Sequence, residues 1–93
     1  MAYNYEDSKG WMALGPNISG AAALLHAVKK NAPRKAYPVL HELLTEGSTD
    51  SPELLRAEAQ RLAEKTRDKD VKDTLLRLAR VAAKAKGYLM MTG

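Results

Sequence analysis

Residues 53–86 read ELLRAEAQRLAEKTRDKDVKDTLLRLARVAAKAK, a stretch without glycine, proline or aromatic side chains. Apolar residues recur in it at helical spacing. Val71, Leu75, Leu78, Ala82, Ala85 and Leu89 advance in a 4-3-4-3-4 step, which brings them to one side of an α-helix. An earlier stripe, Leu55, Ala59 and Leu62, is out of phase with it. Between the two lies Thr66-Arg67-Asp68-Lys69-Asp70, wholly polar, with Asp68 or Asp70 available as a cap. This pattern predicts two helices joined by a tight turn near residues 67–70. The second helix carries further apolar residues at Leu76, Ala79, Val81 and Ala83, so its apolar arc exceeds half the circumference. A central helix buried on several sides is expected.

Outward from this stretch the chain stays helical in character. Ser51-Pro52-Glu53 combines a cap, a first-turn proline and a first-turn acid. A short helix is expected from Lys35 to Glu46, with Pro38 in its first turn and Gly47 as its stop. A further helix is expected from Ile18 to Asn31, ended by Pro33. Residues 1–15, interrupted by Gly10 and Gly15, show no sustained period and read as an aromatic arm. The expectation is an all-α fold: a small four-helix bundle over residues 16–93, an extended N-terminal arm over residues 1–15, and a helix 3–helix 4 hairpin.

Composition narrows the function. With no cysteine in 93 residues, disulfides, zinc–thiolate sites and thiol catalysis are excluded. No apolar run approaches the ~18 residues of a membrane span, and the start of the chain lacks a basic-then-apolar layout. A cytoplasmic protein is expected. The net charge is +4, and no acid follows Asp73. Lys29, Lys30, Arg34, Lys35, Arg77, Arg80 and Lys84 are the candidates for a nucleic-acid or polyanion-binding face. Asp70 and Asp73 followed by late basic residues also complement a helix dipole, which needs no ligand.

No catalytic, metal or cofactor signature is present, and no small-molecule substrate is indicated. Neither histidine has an acid at metal-ligand spacing before it. The segment His26-Ala27-Val28-Lys29, preceded by Leu24-Leu25 and followed by Asn31-Ala32, resembles the phosphoacceptor segment of histidine phosphotransfer domains. The resemblance implies His26 as phosphoacceptor, with Lys29 one turn on to steady the phosphoryl group. The glycine usual after that lysine is replaced by Lys30. By elimination the expected function is non-catalytic: a protein-interaction or assembly module, oligomeric or part of a larger complex. Its candidate partner-binding residues are Trp11, Met12, Tyr88, Leu89, Met90 and Met91, apolar side chains near both ends of the chain.

Overall fold

The computed structural model describes residues 2–17, 27–28 and 30–92. Strand β1 (Ala2–Asp7) turns into β2 (Met12–Asn17). Helix α1 (Pro38–Glu46), strand β3 (Ser48–Thr49), helices α2 (Pro52–Lys65) and α3 (Lys69–Lys84), and strand β4 (Leu89–Thr92) follow. The strands form one antiparallel sheet in the order β2-β1-β4-β3. The chain is therefore a mixed α/β protein, and the expected all-α four-helix bundle is incorrect. The expected helix from Ile18 lies mostly outside the described residues; Ala27, Val28, Lys30 and Asn31 are helical.

The arm is the first correction. Residues 1–15 supply β1 and most of β2, and β1 pairs with β2 on one side and β4 on the other. The signal is present but short: Tyr3 and Tyr5 alternate with Asn4 and Glu6, which is the period of a strand. The Asp7 N–H donates to the Trp11 carbonyl at 3.1 Å, which closes a three-residue loop of Ser8, Lys9 and Gly10. Gly10 holds a left-handed φ of 78°, and its N–H donates to the Asp7 carbonyl at 3.0 Å. A left-handed last residue is the usual closure for a loop of this length, and glycine adopts it without a Cβ clash.

The carboxyl-terminal residues are the second correction. The α3 stripe holds through Val71, Leu75, Leu78 and Ala82, all buried, and the helix stops at Lys84. Leu89 is fully buried, but on β4 opposite Asp7. Its place in the 4-3 step is a coincidence of spacing. Continuing the helix would leave the second edge of β1 unpaired, and backbone groups without partners are costly. Nor is α3 buried on several sides. It buries one face, while Leu76 and Val81 are half-buried and Ala83 is exposed.

The helical hairpin has the expected local chemistry. Asp68 stands at the N-cap of α3, its carboxylate accepting from the N–H groups of Asp70 and Val71 at 2.9 and 3.2 Å. Pro52 opens α2, although the Ser51 side chain makes no capping bond. Gly47 ends α1 at φ 83°, donating to the Leu43 carbonyl. Leu55, Ala59 and Leu62 of α2 meet the α3 stripe, and the leucines of α1 join them over Tyr5 and Leu89 of the sheet. Burial of each such leucine contributes about 2 kcal/mol.

Candidate functional site: a cationic groove on the helical hairpin

Two buried carboxylates organise the surface. Asp7, only 1% exposed, accepts three backbone N–H groups. Oδ1 takes those of Lys9 and Trp11 at 3.0 Å each, and Oδ2 takes that of Lys86 at 2.7 Å. Burial pushes the Asp7 carboxyl up, but the N–H groups of Lys86, Lys9 and Trp11, with the Lys9 charge, outweigh it. The net result is a pKa below the ordinary aspartate value. From the other side, the Ser8 N–H donates to the Lys86 carbonyl at 2.9 Å, and the Ser8 hydroxyl donates to the same oxygen. The β1–β2 turn thus grips the α3–β4 connection.

Glu58, 6% exposed, does comparable work on α1. Its Oε1 and Oε2 accept from the N–H groups of Leu40 and Val39 at 2.9 and 3.2 Å. These are free first-turn donors of α1, whose own N-cap residue, Tyr37, offers no side-chain bond. One turn on, Arg61 donates to the Ala36 carbonyl at 2.7 Å and lies over the Tyr37 ring, 5.1 Å from its centroid. His41 donates from Nε2 to the Ala32 carbonyl at 2.7 Å. The acceptor is a carbonyl, so Nε2 carries the proton.

With these anchors in place, α2 and α3 leave a groove between their outward sides. Its wider end, about 760 Å³, lies where the start of α2 meets the end of α3, and is lined by Leu54, Arg56, Ala57, Ala82, Ala83 and Lys86 among others. It runs on past Gln60 and Arg80 to Leu76, with Arg56, Gln60 and Ala83 shared by both parts. Alanine makes up most of the floor: Ala79 and Ala82 are buried, Ala57 and Ala83 exposed. Leu54 is 57% exposed, one of two large apolar side chains so open among the described residues. Arg56 rises from α2 and Arg80 from α3; Lys86, held by Asp7, stands at the end, where Asp50 and Glu53 also line the rim.

The sequence-derived candidates fall in several places. Arg77, Arg80 and Lys84 are exposed on α3, and Lys30, Arg34 and Lys35 are exposed before α1. They do not join: Arg80 lines the groove, whereas Lys30 lines a separate hollow beside the α2–α3 turn with Lys65 and Arg67. Lys29 and His26 lie outside the described residues. Leu89 is a core residue of this chain, and Met91 packs against the core. Trp11 and Tyr88 are half-buried. Met12, 55% exposed, and Met90 share one cross-strand row with Glu6 and Ser48. Leu54, Arg56 and Gln60 escaped the sequence reading. The adjacent pair Leu54-Leu55 held a signal, because neighbours on a helix cannot both face one core.

Among the described residues, no group of three or more His, Asp or Glu side chains is placed to hold a metal ion. No described helix is long and apolar enough to cross a membrane. No family model matches this chain, and no curated protein or solved structure matches it.

Proposed function

We propose that this chain is a non-catalytic, cytoplasmic protein-interaction module that docks a partner on the α2–α3 groove. The observation that carries this reading is the composition of that groove. An exposed leucine and an alanine floor lie between cations on two rigid helices. Apolar centres with polar rims are the usual anatomy of a protein-binding surface, and an apolar groove between helices is a common seat for a peptide or helix. Asp7 and Glu58 are occupied by backbone N–H groups, and the described histidine by the Ala32 carbonyl.

A photo-cross-linking amino acid placed at Ala83 in living cells tests the reading. Discrete protein adducts from Ala83, absent from a probe at the exposed α1 residue Glu42, are expected. Adducts should disappear when Leu54 is changed to Glu. The same adducts from both positions, or none from Ala83, would remove the groove from consideration.

A further inference from the structure

Resting on that docking role, we propose that the groove's occupant is an acidic amphipathic helix of another protein. Three features of the groove select it. Arg56 and Arg80 stand on facing helices at the narrower part, which has no acid in its lining among the described residues, whereas Lys86 shares the wide end with Asp50 and Glu53. None of the three makes an ion pair with a carboxylate among the described residues, so carboxylates on a partner would meet cations without first breaking bonds. Charge complementarity of this kind raises encounter rates and rejects basic partners.

The floor supplies the second feature. Ala57, Ala79, Ala82 and Ala83 are short, so the channel between α2 and α3 accepts a ridge of larger side chains from outside. Leu54 and Leu76 stand at its two ends as apolar contacts. The distance from Leu76 to Ala83 along α3 is roughly 11 Å at 1.5 Å per residue. Two turns of a partner helix, presenting apolar residues at i, i+3, i+4 and i+7, cover that length. Acids on the flanks of the same helix then face Arg56 on one wall and Arg80 on the other.

The third feature separates this occupant from a nucleic acid. Asp50 and Glu53 line the wide end of the groove. A uniformly charged phosphodiester chain would have to pass these two carboxylates, while a helix with discrete acids need not place one there. Among the described residues, the groove's lining also contains no aromatic platform for bases.

The test uses the full chain and a phage-displayed library of randomised peptides of about 14 residues, or ~21 Å when helical. Recovered peptides are titrated by fluorescence anisotropy, alongside an oligothymidylate of similar length. Expected are peptides with a helical apolar stripe flanked by Asp and Glu. Their affinity should fall by about tenfold or more, that is at least ~1.4 kcal/mol, in the Arg56→Glu/Arg80→Glu variant. Circular dichroism of that variant should match the parent, since both side chains are exposed. The inference is overturned by recovered peptides without acid enrichment, by binding indifferent to the two reversals, or by oligonucleotide binding that depends on them and exceeds that of the peptides. It is also overturned if the Ala83 adduct has twice the chain mass, which identifies a second copy of this basic chain. Any of these results alongside specific Ala83 adducts leaves the docking role standing with different partner chemistry; loss of the adducts removes the docking role itself.

Discussion

Asp7 and Glu58 are both buried carboxylates that accept backbone N–H groups, yet they hold together very different things. Glu58 reaches 18 and 19 residues back and completes one helix end. Asp7 serves its own turn and a backbone amide 79 residues away, so one side chain locks the β1–β2 loop to the exit of α3. Loss of Glu58 frays the first turn of α1, which the core leucines Leu40 and Leu43 still retain. Loss of Asp7 loosens the β1–β2 loop from the α3–β4 connection at the place where Lys86 enters the groove, while the β1–β4 ladder still joins the two strands. The general lesson is that a buried charge contributes according to how many otherwise unpartnered donors it satisfies and how distant in sequence they are.

The comparison is broken most directly at Asp7. Asp7→Ala leaves the N–H groups of Lys9, Trp11 and Lys86 without their acceptor, and should lower the melting temperature more than any other single polar substitution described here. Asp7→Asn keeps one acceptor oxygen but turns an amide N–H₂ toward another donor, and should fall in between. The pH response follows from the same bonds. The folded-state pKa of Asp7 is depressed, so its contribution is fully present above its unfolded pKa. That contribution is lost as pH falls through the depressed folded value. Thermal melts of the parent across the acid range should therefore show a steep loss below the ordinary aspartate range that Asp7→Asn lacks. Identical acid profiles would show that Asp7 is no anchor.

Gly87 probes the other half of the same lock. It holds φ 77°, and an added Cβ would sit 2.5 Å from the Ser8 Oγ and 2.9 Å from its Cβ. Gly87→Ala should cost about 2–3 kcal/mol by chemical denaturation. Ser8→Gly in the same chain removes the collision but not the backbone strain. The double variant should recover part of the loss, and the unrecovered remainder combines the left-handed conformation with the lost Ser8 hydroxyl bond to the Lys86 carbonyl. No recovery would mean that the turn does not approach as described.

Glu58→Ala should cost less, about 1–2 kcal/mol, since two N–H groups lose an acceptor at a helix end that solvent can partly reach. Hydrogen exchange should quicken at Val39 and Leu40 and stay unchanged at Lys86. Quickening at both would erase the distinction between a local and a long-range anchor. The smallest effect is expected from Arg56→Glu and Arg80→Glu, within about 0.5 kcal/mol of the parent, because both are exposed. A larger loss would mean that the groove cations are structural and not free for a partner.

Legibility differed between the two halves of the molecule for a physical reason. The turn between α2 and α3, the Asp68 cap, the α2 and α3 stripes and the Gly47 stop depend on neighbours within a few residues, so they are readable locally. The sheet depends on pairing Tyr5 with Met91 and Asp7 with Leu89, partners separated by most of the chain. A strand of four to six residues carries too few alternations to outweigh a helical step that happens to include Leu89. Glu58 illustrates the same limit: it flanks the Leu55–Ala59–Leu62 stripe, where an acid reads as surface until α1 is docked over it. The groove itself is half legible in the sequence, since Arg80 belongs to the charged candidates while Arg56 and Leu54 do not.

Taken alone, the order of residues indicated the helical hairpin, its turn near residues 67–70 and an aspartate cap at that turn, because backbone hydrogen bonds in a helix close within four positions. Tertiary structure alone decided that both chain ends become strands, that Asp7 and Glu58 are buried anchors, and that Arg56 faces Arg80 across an alanine floor. Those outcomes require donors and acceptors from remote segments to meet, and only the folded chain brings them within reach.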